Sequence, residues 1–362
     1  MPSYRYLTQH ALTGELLALD LPLSKVEFGP ELNGPGSFTA TVEPRLAHLA
    51  QSQLDPGNTL LFAERDRTLL WGGLVWRAEP EGQEFRIEAA GFGSYPHKRF
   101  DAHGNLNGRG PYTYADPCTV IRDAWAYLQE QPDGDLGVHV DATTSKVTVG
   151  TPAEPYAIDW WEAPSLGSVI ADMVAVEGGP EWTEQVAWSG GTPARRINVG
   201  WPRLGARRTD ISLTSGINIA ATVPVTYDAD EYAQVVIGLG AGEGRNRRRA
   251  INATRNGRLR LEHVLEVLSE KSNERLAART STERTARQVI GEVTELVIRD
   301  HPAARLGAFQ IGDDIRVRVH DQWSEFDGWA RVTAWTVAPP QDDQQERVTV
   351  QLQRADRFTY GG

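Results

Sequence analysis

Hydrophobic and polar residues alternate along much of the first hundred positions, which is the period of a half-buried β-strand. Tyr4-Arg5-Tyr6-Leu7-Thr8 and Ser37-Phe38-Thr39-Ala40-Thr41-Val42 alternate, and Asn33-Gly34-Pro35-Gly36 is a strong break before the second run. A short helix is predicted over residues 44–53, because Pro44 suits a first helical turn. Further strands are predicted at residues 14–19, 26–28, 59–63, 69–76 and 84–90. We therefore expect a β domain over residues 1–100.

Helical spacing enters in residues 101–205. Asp116-Pro117 is a helix start signal, and Pro132-Asp133-Gly134 is a break after it. A second helix is predicted over residues 165–176. The apolar residues at helical spacing are Val120, Ile121, Ala124, Trp125 and Leu128 in the first helix and Leu166, Val169, Ile170, Met173 and Val174 in the second. With strands predicted at residues 182–188 and 195–199, this region is interpreted as a mixed α/β domain.

Strand patterns return after residue 206. Strands are predicted at residues 218–225, 232–239, 288–299, 314–320, 329–337 and 346–353. The strongest helical periodicity of the chain lies at residues 261–278, where Leu261, Val264, Leu265, Leu268 and, more weakly, Leu276 line one side. We expect a second β domain split over residues 206–244 and 288–355. An Arg-rich loop and helical insertion over residues 245–287 interrupts it, and a C-terminal tail at residues 356–362 follows.

A weak internal repeat relates the two β regions. In the first region, Gly57 and Gly72 each mark the beginning of a predicted strand and lie 15 positions apart. In the second region, Gly312 and Gly328 also mark the beginnings of predicted strands and lie 16 positions apart. The repeat indicates two related β domains. Chance similarity between two antiparallel meanders explains the spacing equally well, because turn chemistry alone produces such patterns.

Composition narrows the class of protein. The 362 residues carry a formal charge of −11, which argues against a general nucleic-acid coat. No run of 18 apolar residues occurs, so we expect no membrane insertion, and the first residues lack the apolar core of a secretory signal. The single cysteine, Cys118, excludes an internal disulfide and a Cys-rich metal cluster.

The glycine run Gly238-Leu239-Gly240-Ala241-Gly242-Glu243-Gly244 suggests a phosphate-binding loop. Its spacing does not fit the dinucleotide fingerprint, and no lysine stands where a mononucleotide loop needs one. The glycines are better explained by a close backbone approach or a flexible turn.

Seven arginines and no acidic residue lie between Arg245 and Arg260. We single out Arg245, Arg247, Arg248 and Arg249 as a candidate interface with an acidic partner or with phosphate. The alternative is a solvated loop whose charges pair with Glu262 and Glu266.

Catalytic signals are weak. Neither a Gly-x-Ser-x-Gly elbow nor a His-Glu-x-x-His motif occurs. His97, Asp101 and His103 lie close together but lack a third good ligand at metal spacing, so a structural loop is favoured. We therefore expect no catalytic residue, metal site, cofactor or enzymatic activity. A sugar-stacking platform is one interpretation of five tryptophans, although such residues more often fill a core. They are Trp160, Trp161, Trp182, Trp188 and Trp201.

The order of several segments resembles tail hub proteins of long-tailed bacteriophages, especially the siphophage minor tail proteins of phages that infect actinobacteria. The resemblance rests on the unit ending in Phe38-Thr39-Ala40, on Leu70-Trp71-Gly72-Gly73, and on Gly91-Phe92-Gly93-Ser94-Tyr95 with Arg99. The glycine run and Ile311-Gly312-Asp313-Asp314 resemble the same proteins. No single motif is diagnostic, and the order of the set is the evidence.

The resemblance implies a β-rich α+β multidomain fold like contractile-phage baseplate hubs, with two tail-tube-like antiparallel β-barrels, a mixed α/β domain and a helical insertion. It implies a homotrimer that forms a ring at the distal end of the virion tail. This ring would contact a tail tube that has sixfold symmetry. Its partners would be the distal tail protein or tail tube protein and other tip proteins. No fibre, lytic or peptidase domain follows before Gly362, so host-wall cleavage and receptor binding are expected of other proteins.

DNA would pass through the channel of such a ring without specific binding, and an acidic lumen would repel its phosphates. Two other functions stay open. One is a carbohydrate-binding or hydrolysing tail-tip protein, based on the tryptophans. The other is a nucleotide-dependent enzyme, based on the glycine run.

Overall fold

A computed structural model describes residues 2–42, 53–82, 84–221, 223, 225–227, 229–268, 270–288, 291–302, 304–323, 325–341 and 344–355. The helix predicted over residues 44–53 lies outside this part of the chain except for its last position, and the C-terminal tail lies outside it altogether. In the described ranges, no helix combines the length and the apolar character needed to cross a membrane.

The N-terminal region forms an antiparallel sheet, as its alternating pattern predicts. The strands are β1 (Tyr4–His10), β2 (Leu16–Ala18), β3 (Leu23–Glu31), β4 (Gly34–Val42), β5 (Thr59–Arg65), β6 (Thr68–Glu81) and β7 (Glu84–Gly91). Their order in the sheet is β3-β4-β7-β6-β5-β1-β2. The middle of this sheet is buried on both faces, because Leu61 and Ala63 enter one hydrophobic core and Leu60 and Phe62 enter another.

The second core belongs to the mixed α/β region. Its elements are α1 (Pro117–Glu130), β8 (Val138–Val140), α2 (Leu166–Ala175), β9 (Glu181–Ser189) and β10 (Thr192–Gly200). Both helix predictions are confirmed, since Asp116 caps α1 by accepting the Cys118 amide and Ser165 caps α2 by accepting the Ser168 amide. The apolar faces of the two helices pack with β8–β10 against the second face of the N-terminal sheet.

The rest of the chain adds more strands and a third helix. They are β11 (Arg207–Thr214), β12 (Thr226–Tyr227), β13 (Val235–Leu239), β14 (Arg249–Ala253), β15 (Glu262–Glu266), α3 (Asn273–Ala286), β16 (Gly291–Glu292), β17 (Glu295–Ile298), β18 (Asp314–His320), β19 (Glu325–Ala338) and β20 (Arg347–Arg354). β11 and β17–β20 belong to the same sheet as β1–β7.

The two β regions meet where β19 pairs with β3. Ala334 lies opposite Glu31 and Val337 lies opposite Phe28, and the result is a single sheet of 12 strands. We expected two separate barrels, but the described strands form one open sheet and no closed barrel. The reason is that β3 and β19 use their free edges to join the halves, and apolar residues of both halves then share one core.

The internal repeat is confirmed by the pairing of the strands. β5, β6 and β7 contain 7, 14 and 8 residues, and β18, β19 and β20 contain 7, 14 and 8 as well. Both long strands carry a β-bulge at the same place, just after Val75 and just after Val332. The repeated glycines also act alike: Gly57 donates its N–H to the Val75 carbonyl at 2.7 Å, and Gly312 donates to the Val332 carbonyl at 2.8 Å. Turn chemistry alone would not reproduce a bulge and a hydrogen bond at matching positions.

The same correspondence locates the insertion. Val42 of β4 pairs with Phe85 of β7 just as Ile298 of β17 pairs with Val348 of β20. In the first half, β3 and β4 are joined by a tight turn at Leu32-Asn33. In the second half, β12 and β16 pair like the ends of the same hairpin, and β13, β14, β15 and α3 lie between them in the chain. This βββα unit therefore extends a hairpin that is a simple turn in the first half.

Several predictions in this region are wrong. Residues 261–278 do not form one helix, since residues 262–266 are strand β15 and α3 begins only after Ser272. The strand predicted at residues 232–239 begins at Val235 and pairs with β14 and β15 instead of the second β region. At their described positions, residues 218–225 and 288–299 contain only the short strands β16 and β17 and an isolated bridge at Ile219.

The failure of the helix prediction has a simple cause. The spacing of Leu261, Val264, Leu265 and Leu268 fits a helical face, but exposed and half-buried residues alternate along β15 because one face of the strand is covered. The true helix α3 buries only Leu276 and Thr280, so its apolar period is too weak to be seen in the sequence.

Candidate functional site

The arginines chosen as a candidate interface lie at the tip of the βββα unit. The glycine run forms the turn between β13 and β14, with Gly242 and Gly244 at positive φ, and the chain returns through a short 3-10 turn at Gly244–Asn246. A strand, not a helix, follows the glycines, so the turn lacks the helix N-terminus of a phosphate-binding loop. Gly238 is needed for packing, because a Cβ there would lie 2.2 Å from Thr280 Oγ1 of α3.

We call Arg245, Arg247, Arg248 and Arg249 the arginine surface. All four are exposed, and none forms an ion pair with an acidic residue of the described chain. Arg248 donates to Asn273 Oδ1 at 2.9 Å. Glu262, which could have neutralised the surface, pairs with Arg260 at 2.6 Å instead. The arginine surface therefore presents uncompensated positive charge on an acidic protein, as an interface with an acidic partner requires.

An exposed apolar strip lies on the same small sheet. Gly238 faces α3, so its neighbour Ile237 faces the opposite side of β13. The register places Ile251 of β14 and Val264 of β15 on either side of Ile237. Ile251 is 54% exposed and Val264 is 48% exposed. A row of β-branched residues beside arginines combines the apolar area and the cations that mark protein interfaces.

Sequence reasoning found the arginines and missed the apolar strip. The strip depends on two strands pairing with β13, one of them predicted to be helix. The only signal was the alternation within residues 262–266, which competed with a helical interpretation.

The tryptophans do not form one platform. Trp182 is buried, the Trp188 indole donates to Glu64 at 3.0 Å, and the Trp201 indole donates to the Gly178 carbonyl. Trp160 and Trp161 are exposed, but their rings meet at 81°. A flat surface for sugar stacking therefore does not arise from these five residues.

Asp101 organises the loop that holds His103, whereas His97 lies in the preceding 3-10 helix Phe92–Lys98. It accepts the amides of His103, Gly104 and Leu106 at 3.0, 2.9 and 2.7 Å. The ring of His103 hydrogen-bonds through Nδ1 to the Tyr127 hydroxyl at 2.8 Å. Within the described ranges, no group of three or more His, Cys, Asp or Glu side chains is placed to hold a metal ion.

A buried charged cluster joins the α/β region to the second half of the sheet, and no sequence signal pointed to it. Asp314 and Arg331 lie opposite each other in β18 and β19 and are both fully buried. Arg203 donates to Asp314 at 2.6 Å, and Arg331 donates to Glu181 of β9 at 2.7 Å. In the first half, the equivalent pair is Leu60 opposite Leu74. The second half therefore replaces an apolar contact with ion pairs.

Glu184 of β9 contacts the short 3-10 helix Phe92–Lys98 that follows β7. Its Oε1 accepts the Gly93 amide at 2.5 Å. Burial raises the pKa of Glu184 well above its usual range, although the amides of Gly93 and Phe92 act in the opposite direction. The folded protein thus favours the protonated acid.

We expect Glu184→Gln to stabilise the protein at pH 7. Folding raises the pKa of this carboxyl, so its contribution to the free energy of unfolding is fully present at pH values below the unfolded pKa. That contribution is lost as the pH rises through the folded pKa. The gain of the variant over the wild type should therefore vanish at about pH 4, near the ordinary Glu value. Urea denaturation at both pH values measures it, with the exposed Glu154→Gln as control. A variant equally or less stable than wild type at pH 7 would contradict the assignment.

Comparison with solved structures shows which proteins share this fold. The chain is similar to the 43 kDa tail protein of prophage MuSo2 from Shewanella oneidensis, with a TM-score of 0.58 and 13% identity over 97% of this chain and 99% of that one. The tail protein from Neisseria meningitidis MC58 gives 0.54 and 14% over 98% and 97%.

Prophage tail protein gp18 from Listeria monocytogenes EGD-e gives 0.54 and 10% over 97% and 95%. No family model and no curated protein matches the sequence. The chain therefore has the fold of prophage tail proteins over nearly its whole length.

Proposed function

We propose, from this shared fold, that the chain is a structural hub protein of a long-tailed bacteriophage, of the siphophage minor-tail type. Three copies would form a ring at the distal end of the tail tube and surround the channel through which DNA is ejected. The observation that carries the proposal is the likeness to prophage tail proteins over 97–98% of the chain. The duplicated halves support it, because three copies of two similar units give the six positions that a sixfold tube needs.

The proposed role is mechanical and involves no catalysis or cofactor. One face of the ring would contact the distal tail protein or tail tube protein, and the other would contact tip proteins. The arginine surface and the apolar strip beside it are the proposed contact with one of these neighbours, which must then present acidic residues around an apolar patch.

Deleting the gene from the phage genome tests the hub role directly. Electron microscopy of the resulting particles should show capsids without complete tails, and expression of the chain in trans should restore tails. Mass measurement and negative-stain imaging of the purified chain should show a threefold ring. Complete, infectious tails in the deletion phage would refute the proposal.

Charge reversal of the arginine surface tests the proposed contact. With Arg245, Arg247 and Arg249 changed to Glu, we expect the titre of complemented virions to fall by at least about tenfold, because like charges across an interface cost several kcal/mol. The control makes the same change at three exposed arginines elsewhere, Arg67, Arg196 and Arg305. Equal titres for the two triple variants, with both proteins folded, would remove the arginine surface from the assembly.

A further inference from the structure

Strand β9 of the mixed α/β region has one unpaired edge. Among the described strands it pairs with β10 alone, across a tight turn at Gly190-Gly191. Along an antiparallel pair, the backbone N–H and C=O groups of successive residues point alternately toward the partner strand and away from it. The Trp182 amide donates to Asn33 Oδ1 at 2.8 Å, and the Trp182 carbonyl accepts the Asn33 amide at 2.9 Å. The backbone of Trp182 therefore points away from β10.

The same alternation directs the backbone groups of Glu184, Val186 and Trp188 to the unpaired edge. The partner strand agrees, because Ile197 lies opposite Glu184 and its carbonyl accepts the Asp141 amide, just after β8, at 3.2 Å. In the described part of the chain, the outward N–H and C=O groups of the three β9 residues have no hydrogen-bond partner. Asn33 thus fills one place on this edge and the next three are open. We call the stretch 184–188 the β9 edge.

A groove with a volume of about 420 Å³ runs along the β9 edge. Its lining combines residues 183–188 with Leu69 and Leu70 of β6, with the loop 307–311 and with Trp335 of β19. The groove therefore lies where the α/β region meets both halves of the large sheet, and ligand sites are frequent at such junctions. Lining from three parts of the chain encloses it on more than one side.

A buried hydroxyl in the same groove also points to a ligand. Thr183 lines the groove and is 9% exposed, and within the described ranges its Oγ1 has no hydrogen-bond partner. Leaving a buried hydroxyl unpaired costs stability. A groove that is filled by a ligand explains this cost, and a peptide backbone carries a hydrogen-bond acceptor at every residue.

We infer that an extended segment of a partner protein adds to the β9 edge as a further strand. The three open places correspond to about five residues of extended chain. Backbone hydrogen bonds would hold the segment, and every second side chain would enter the apolar lining. The enclosed groove suits a single chain, whereas the edge strand of a second folded copy would bring its neighbouring strands with it. The inference goes beyond the proposed function, because this strand addition requires neither a ring nor a tail tube.

Peptide selection combined with hydrogen exchange tests the strand addition. Random heptapeptides displayed on mRNA are selected on the purified full chain, and we expect the enriched peptides to carry apolar residues at every second position. Without peptide, the amides of Val186 and Trp188 should exchange fast, and those of Gln185 and Ala187, which point toward β10, should exchange slowly. A synthetic enriched peptide at about ten times its Kd should slow exchange at Val186 and Trp188 by about tenfold.

Backbone N-methylation of the peptide provides the matched control, because it removes N–H donors and leaves the side chains unchanged. In a strand, only every second N–H points toward β9. Methylation of that alternate set should weaken binding by at least about tenfold, since several hydrogen bonds are lost. Methylation of the other set should leave the affinity nearly unchanged.

Equal losses for the two methylated sets would overturn the strand addition, as would bound peptides that leave exchange at Val186 and Trp188 unchanged. A library that yields no enriched peptide would overturn it too. Protection of these two amides that rises with the concentration of the chain alone would assign the β9 edge to a second copy and overturn the partner segment. None of these results bears on the deletion phage, which tests the hub role separately.

Discussion

Replacing Arg331 with methionine should lower the free energy of unfolding by about 3–5 kcal/mol, the usual cost of removing one partner of a buried ion pair. Arg331 is fully buried and donates to Glu181, to the Gly312 carbonyl at 3.2 Å and to the Leu204 carbonyl at 3.1 Å. Methionine fills much of the same volume but satisfies none of these acceptors. The carboxylate of Glu181 would then be left in a poorly solvated site without its cation.

Chemical denaturation of the purified chain measures this loss. The matched control is Arg318→Met, an exposed arginine on the neighbouring strand β18 that lies 3.6 Å from Asp327. An exposed pair of this kind contributes about 0–1 kcal/mol. Adding Glu181→Gln to Arg331→Met should recover part of the lost stability, because the unpaired carboxylate is removed. Equal losses for Arg331→Met and Arg318→Met would show that the cluster does not stabilise the junction.

Gly29→Ala should separate the two halves of the sheet. A Cβ at position 29 would lie 1.7 Å from the Trp335 carbonyl oxygen and 2.7 Å from its carbon. Both are backbone atoms, so no side-chain rotation relieves the clash, and β3 must move away from β19. Overpacking typically costs about 1–3 kcal/mol and sometimes more, and we expect a loss at the upper end of that range.

Hydrogen exchange locates the effect of Gly29→Ala, since amide protection should fall in β3 and in residues 333–337 of β19 before it falls in β5. The control is Gly328→Ala on β19, where the new Cβ would meet only the end of the Phe326 ring at 2.7 Å. That side chain can shift. Unchanged amide protection of β3 in Gly29→Ala would contradict the close approach of β3 to β19.

The elements that the sequence predicted best are those with local signals. Helix α1 has its cap at Asp116, and the strand at residues 314–320 has the predicted bounds. The repeat at Gly57 and Gly312 was visible because a turn before a strand demands glycine at positive φ. These features depend on a few neighbouring residues.

The features that escaped prediction depend on distant partners. The pairing of β3 with β19 joins residues near opposite ends of the chain and leaves no periodic pattern. Asp314 likewise has its partners far away in the chain, since it pairs with Arg203 and lies opposite Arg331. The arginine surface was predicted from composition, whereas the apolar strip needed the pairing of β13 with β15. The main errors of prediction therefore lie where strands or side chains pair with partners that are distant in the sequence.

The βββα unit also has a consequence for symmetry. Because it emerges from the hairpin of one half only, the two halves are not interchangeable, however alike their sheets are. A neighbouring molecule that binds this outgrowth meets it once per polypeptide, and it can therefore distinguish one half of the chain from the other.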